Sequence, residues 1–187
     1  DIIVDSNNDI VVLCDGINGS GVRYTQLLKF DLSGNLLNTY TKYFGASGNG
    51  AYSYELIQFD QSYYLTAAND VGLNYPISIL FDISSPTGYN AYAHSSLRNY
   101  YHFGLTKNPT TKRTHIAGYR IFEEDTNATI TILDSLLSID NNIEYGDTGK
   151  QQLIDISQTA VGYMAVGTTN FNTEGADDCM VLRSEER

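Results

Sequence analysis

A pattern returning about every 50 residues restricts this chain's fold more than any other feature, since a repeat of that length means one supersecondary unit copied along the sequence. The stretch LLKFDLSGN (27–35) comes back in altered form as SILFDISSPTGYN (78–90), as TITILDSLLSIDNN (129–142) and, cut short, as MVLRSEER (180–187). Asp31, Asp82 and Asp134 end equivalent apolar runs, with Ser184 at the fourth position, at spacings of 51, 52 and 50 residues. A second register agrees: the small or polar residue closing the preceding run falls at Asp15, Ala68, Gly118 and Gly167, at spacings of 53, 50 and 49.

Inside each repeat the pattern is that of strands. The first reads DIIVDS, DIVVLCDG, RYTQLLKFDL and LLNTYTKYFG, four short runs rich in Val, Ile, Leu, Tyr and Thr separated by Asn, Asp, Ser and Gly, which predicts an antiparallel meander. No segment sustains a period of 3.6 residues, so few helices are expected. An all-β chain with four strands per repeat predicts a β-propeller of about four four-stranded blades, approximately 1–49, 50–98, 99–149 and 150–187 with the last blade incomplete, forming either one domain or a fragment of a larger propeller. A β-sandwich is the alternative, but it predicts no fixed period. Asp31, Asp82 and Asp134 precede tight-turn residues, so their carboxylates are expected to accept backbone N–H groups in a hairpin that every blade needs.

Charge narrows the partners. Lys and Arg number 11 against 22 Asp and Glu, a net charge of −11, and phosphate backbones and anionic bilayers are bound through Lys and Arg. Neither nucleic acid nor direct membrane insertion is expected; no apolar run approaches the roughly 20 residues that a membrane helix needs. Cys14 and Cys179 are far apart in sequence and form no CxxC or Cys/His cluster, so structural zinc is not expected. Each lies in an apolar run and is expected to be a buried, unreactive thiol.

Phe44-Gly45, Gly162-Tyr163-Met164-Ala165-Val166-Gly167 and Gly175-Ala176-Asp177-Asp178, together with the K-F-D and S-G-N pattern, carry a resemblance. The chain resembles the propeller repeats common in secreted and surface-anchored bacterial proteins. It differs from them in carrying KNPTTKR at the turn of the third repeat and in lacking Trp. The resemblance implies an extracytoplasmic binding or scaffold module, with no catalytic residues to carry over.

The remaining polar residues hold the candidate chemistry. His115 lies inside a predicted strand, and His94 and His102 flank a blade junction with Ser95 and Ser96 nearby, a spacing that requires no nucleophilic system. Asp5-Ser6-Asn7-Asn8-Asp9 copies the first ligands of a calcium loop, but Ile10 stands where that loop needs Gly and Gly16 where it needs Glu, so a turn is expected and no metal or other cofactor. The acidic cluster outside the repeat pattern, Glu123-Glu124-Asp125, is what a rival propeller-fold glycan-degrading enzyme would have to use, since glycosidases need paired carboxylates.

The aromatics point to binding instead. Of 15 Tyr, several cluster near predicted loop ends, and Tyr52, Tyr54, Tyr75, Tyr100, Tyr101 and Tyr119, with Phe171, are the candidate ligand-binding residues, because Tyr offers apolar area with a polar tip at low entropic cost. A protein or glycan ligand at the loop face is the expected partner. The fourth repeat ends after its third strand, so a partner chain completing the last blade is also expected.

Overall fold

The computed structural model describes residues 1–44, 51–70, 75–85, 88–123, 125–146, 148–170 and 178–185. Within them the chain is all-β, in four antiparallel sheets whose strands follow chain order. Sheet 1 holds β1 (Ile2–Val4), β2 (Ile10–Ile17), β3 (Arg23–Phe30) and β4 (Leu36–Phe44); sheet 2 holds β5 (Ala51–Gln58), β6 (Tyr63–Asp70), β7 (Tyr75–Asp82) and β8 (Tyr89–Ala93). Sheet 3 holds β9 (Tyr100–Lys107), β10 (Thr114–Phe122), β11 (Asp125–Leu133) and β12 (Ile139–Tyr145), and sheet 4 holds β13 (Gln151–Thr159), β14 (Gly162–Thr169) and β15 (Asp178–Glu185). The predicted meanders are therefore present, one sheet per repeat. Sheets 1 and 2 form one compact unit, Asp1–Arg98, and sheets 3 and 4 a second, Asn99–Arg187.

The recurring aspartates do what turn chemistry asks of them. Asp31 Oδ1 accepts the N–H groups of Ser33 and Asn35, Asp82 Oδ1 that of Ser84, and Asp134 Oδ1 those of Leu136 and Ser138, all at 2.8–2.9 Å. A short acceptor two residues before the donor closes the turn without help from other strands. The same device serves the hairpins between first and second strands. Asp5 accepts from Asn7 and Asp9, Asp60 from Ser62, and Asn108 from Thr110 and Thr111. The KNPTTKR turn thus substitutes Asn108 for an aspartate and places Lys112 in the left-handed region at φ 62°. The calcium-like segment is such a turn.

The second sequence register has a different cause. Ala68, Gly118 and Gly167 each face a β-bulge in the first strand of their sheet, where Tyr54, Phe103 and Ile154 are the extra residues. The bulge drives a carbonyl against the second strand. A Cβ on Gly118 would lie 1.9 Å from the Tyr101 oxygen, and one on Gly167 1.8 Å from the Gln152 oxygen, so only the smallest residues fit. Cross-strand pairing shifts two sequence assignments by one residue. Leu13–Leu27, Ala67–Ser78, Ala117–Ile130 and Val166–Val181 are the matching pairs, each fixed by its place relative to the hairpin and the covered face. Cys14, rather than Asp15, therefore corresponds to Gly118, and Glu185, rather than Ser184, to Asp134.

In each unit the two sheets share one apolar layer. Val11, Leu13 and Leu27 of sheet 1 pack with Leu56, Tyr64, Ile77, Ile79 and Phe81 of sheet 2. Ala117, Ala128 and Ile130 of sheet 3 pack with Leu153, Ile156, Tyr163 and Ala165 of sheet 4. Gly104 permits the close approach in the second unit, since a Cβ there would meet Asp155 Cα at 2.6 Å. The alternation of these residues along each strand puts one face into the layer.

Candidate functional site

A strip of alternating cations and rings crosses the first unit. Arg23 and Phe44 face each other across β3 and β4, and Lys42 lies two residues from Phe44 on the same face. The Arg23 guanidinium sits 4.6 Å from the Tyr52 ring centre, while the Lys42 ammonium sits 4.3 Å from the Tyr89 ring and 5.7 Å from Phe44. Lys42 Nζ also donates to the Tyr89 hydroxyl at 3.2 Å. The strip thus runs Tyr52, Arg23, Phe44, Lys42, Tyr89. Its two end tyrosines are exposed. Each cation over an exposed ring contributes about 0.5–1 kcal/mol. On the opposite face Tyr24 and Tyr43 pair across the same strands with ring centres 5.9 Å apart.

The second unit has two aromatic groups on β9 and β10. Tyr119 stacks on Tyr101 at 4.9 Å and on Phe103 at 5.4 Å. On the other face Arg120 lies over Tyr100 and Phe122 and pairs with Glu144 at 2.9 Å. Tyr100 is only 7% exposed, and its hydroxyl donates to Glu144 and accepts from Asn142. Burial, and then the bond to Glu144, push its hydroxyl up to about 12.

The candidate tyrosines therefore differ in availability. Tyr52 and Tyr54 are exposed, Tyr54 as a bulged residue, whereas Tyr75 packs against the first unit's core. Tyr101 and Tyr119 are brought together as a half-buried stack, and Tyr100 is turned inward. Phe171 lies outside the described residues, as does Glu124. Arg23, Lys42 and Tyr89 were not singled out in the sequence. Their only signal was that two of the chain's few cations and one of its tyrosines stand near strand ends, and cross-strand register, which decides the contact, is not written in any local motif.

Two buried polar groups could be mistaken for active sites. Lys29 Nζ, on the covered face of sheet 1, meets Asp5 Oδ2 at 2.7 Å and Asp9 Oδ2 at 3.0 Å, and the Tyr64 hydroxyl donates to the same Asp5 oxygen. Burial opposes ionisation of Asp5, yet the bonds from Lys29, Tyr64 and two backbone N–H groups hold its carboxyl down at about 2. Burial likewise works against the Lys29 charge, but Asp5 and Asp9 raise it. The result is a satisfied ion cluster joining the two sheets. Separately, His94 Nε2 lies 2.9 Å from Ser78 Oγ, a pair that the sequence did not suggest. Burial lowers the His94 imidazole to about 4. Ser78 is fully buried, and a nucleophile that no substrate can touch does not catalyse. His102 and His115 are also fully buried, His102 Nε2 beside Thr131 Oγ1 at 3.0 Å and His115 against the Tyr163 ring.

The remaining features are simpler. Glu123 is an exposed turn residue at φ 55°, and Asp125 Oδ1 accepts the Gly149 N–H. A cleft of about 430 Å³ opens between the turn at 108–113 and the turn at 159–162, where Arg113 pairs with Asp140 at 2.7 Å. Among the described residues no cluster of three or more His, Cys, Asp or Glu could hold a metal ion, and no helix is long and apolar enough to cross a membrane. Both cysteines are free thiols. The expectation that both are buried fails: Cys14 is half-buried, its thiol raised first by burial and then by Asp15, and Cys179 is exposed, because alternation along β15 points it away from the core. Compared with known proteins, the chain matches no family model and no curated sequence.

Proposed function

We propose that this chain is a noncatalytic, extracytoplasmic binding or scaffold module whose four sheets are the blades of a single-domain β-propeller. The observation carrying the binding role is the strip from Tyr52 to Tyr89, in which an exposed tyrosine at each end flanks Arg23, Lys42 and the buried Phe44 in an otherwise acidic protein. Rigid rings supply apolar area, and the guanidinium and ammonium supply fixed donors. That combination suits a glycan or protein ligand presenting carboxylates beside an apolar surface. The extracytoplasmic placement rests on the resemblance to secreted and surface-anchored repeats. As a scaffold, the module also offers β15, which among the described residues pairs on one side only, as an edge where a partner strand can complete sheet 4.

The test is a glycan array together with a pull-down of surface proteins, repeated with Tyr52→Ala and Arg23→Ala. Each variant should lose roughly tenfold or more in affinity, in line with aromatic and Arg anchors at binding surfaces, while far-UV circular dichroism stays unchanged. Ligand binding that is indifferent to both substitutions would refute this site. Turnover of chromogenic glycosides, abolished by Glu123→Gln, would favour the enzyme instead.

A further inference from the structure

Two glutamines at matching places in the two units are used differently. The pairs Ala67–Ser78 and Val166–Val181 match, so Tyr64 and Tyr163, three residues earlier on β6 and β14, match as well; Gln58 pairs with Tyr64 as Gln158 pairs with Tyr163. In the first unit the Gln58 amide reaches the turn between β1 and β2. Its Oε1 accepts the Ser6 N–H at 2.8 Å, and its Nε2 donates to the Ser6 hydroxyl at 2.9 Å. In the second unit the turn acceptor is Asn108 in place of Asp5, and the residue after it is Pro109 in place of Ser6. Proline has neither an N–H nor a hydroxyl to offer. Gln158 Nε2 accordingly donates to the neighbouring Thr159 carbonyl at 3.2 Å, and its Oε1 is buried without a partner among the described residues. A buried acceptor left unmatched destabilises the folded chain. The cleft of about 430 Å³ opens at this place, with Pro109 and Gln158 in its lining.

We propose that this cleft binds a 2-acetamido sugar, and that Gln158 turns outward to hold it as Gln58 holds Ser6. Ser6 presents an amide N–H and a hydroxyl on adjacent carbons. A 2-acetamido sugar presents the same pair, the acetamido N–H on one ring carbon and a hydroxyl on the next, so it gives Oε1 a donor and Nε2 an acceptor at once. The unmatched atom is itself an acceptor, so the group that meets it must bring a hydrogen, which a carboxylate or phosphate does not. Asp140 already neutralises Arg113 at 2.7 Å, and an uncharged ligand therefore suits the site. The Thr110 and Thr159 hydroxyls and the further N–H groups of Arg113 line the cleft for the other sugar hydroxyls, while Pro109 and the exposed Val161 offer apolar surface to the acetyl methyl. These are side-chain groups scattered over two turns, which fit a sugar better than the evenly spaced backbone of a peptide. The volume is that of a small-ligand pocket. The site shares no residue with the strip from Tyr52 to Tyr89 and does not rest on it.

Amide NMR spectra of the purified chain, titrated with N-acetylglucosamine and N-acetylgalactosamine, test this, with glucose, galactose and N-acetylserine amide as comparisons. The expected result is saturable binding of at least one acetamido sugar, about tenfold tighter than that of its parent hexose, the factor that one lost hydrogen bond gives. Gln158→Leu should abolish that binding with an unchanged circular dichroism spectrum. Pro109→Ser, which supplies the groups of Ser6 from within the chain, should raise the thermal midpoint and weaken the sugar about tenfold. Gln58→Leu should lower the midpoint and leave the sugar affinity as it was. Tyr52→Ala and Arg23→Ala should also leave it as it was, so that failure of the strip and failure of this cleft are told apart. No saturable shift with either acetamido sugar, equal affinity for the parent hexose, binding that survives both Gln158→Leu and Pro109→Ser, or tighter binding of N-acetylserine amide overturns the proposal.

Discussion

Replacing Lys29 by Met should destabilise the first unit at neutral pH and do so much less in acid. The ammonium is the positive member of a cluster with Asp5 and Asp9, and the Lys29 and Asp5 side chains are 9% and 0% exposed. Removing it leaves the Asp5 carboxylate in an apolar setting with the Tyr64 hydroxyl and the Asn7 and Asp9 N–H groups as its remaining partners. Breaking a buried pair on one side costs about 3–5 kcal/mol; with three donors retained, a loss of about 3 kcal/mol is expected. In the parent the carboxyl titrates at about 2, so it is still charged at pH 3. Without Lys29 burial acts with less opposition, the carboxyl takes up a proton at higher pH, and the cost of the stranded charge is relieved. Urea unfolding followed by circular dichroism at pH 7 and pH 3 measures both values. The double variant Lys29→Met/Asp5→Asn, which removes both charges, should recover about 2 kcal/mol of the loss. A single variant within 0.5 kcal/mol of the parent at pH 7, or an equal loss at both pH values, would refute the account of this cluster; 0.5 kcal/mol is roughly the scatter of neutral surface changes.

Other outcomes follow from the same structure. Because burial lowers His94 from 6.5 to about 4, the unfolded chain takes up a proton that the folded chain refuses; stability is full above pH 6.5 and falls between 6.5 and 4, by about 3 kcal/mol. His94→Leu should flatten that part of a urea-midpoint profile against pH. Gly118→Ala, which puts a methyl onto the Tyr101 carbonyl, should cost about 2 kcal/mol or more, whereas Gly19→Ala, with nothing within 4 Å, should be nearly silent. Asp134→Ala leaves the Leu136 and Ser138 N–H groups without their acceptor, and thermal unfolding should show a loss of about 1 kcal/mol, as for other short side-chain caps on backbone donors.

The element types were legible because they depend on neighbours in sequence. Alternation of apolar residues, and Asp or Asn two residues before a turn donor, are local facts, and the sheets and hairpins follow from them. The site was less legible. Tyr100 and Tyr101 stand side by side in the sequence, but β-alternation sends them to opposite faces, one onto Glu144 and the other onto Tyr119. Clustering of aromatics along the chain says how many rings are near a strand end; pairing decides which of them meet solvent. The Lys29 cluster was missed for the same reason, since Asp5, Lys29 and Tyr64 converge only when two sheets stack.

The one-residue error in both repeat registers has a physical source. A carboxylate, a small residue and a turn all look equivalent in a sequence, yet they answer to separate constraints: the turn needs an acceptor, and the bulge carbonyl needs an absent or minimal side chain. In sheets 2, 3 and 4 the bulge fixes Ala68, Gly118 and Gly167. In sheet 1 the matching place on β2 is Cys14, which pairs with Gln26 of β3. Asp15 then attracts attention as the nearest polar residue, but its carboxylate is engaged elsewhere. It accepts the Thr25 hydroxyl and the Ser53 N–H, tying sheet 1 to the first strand of sheet 2. The small-residue requirement is thus a consequence of the bulge and not of the repeat itself.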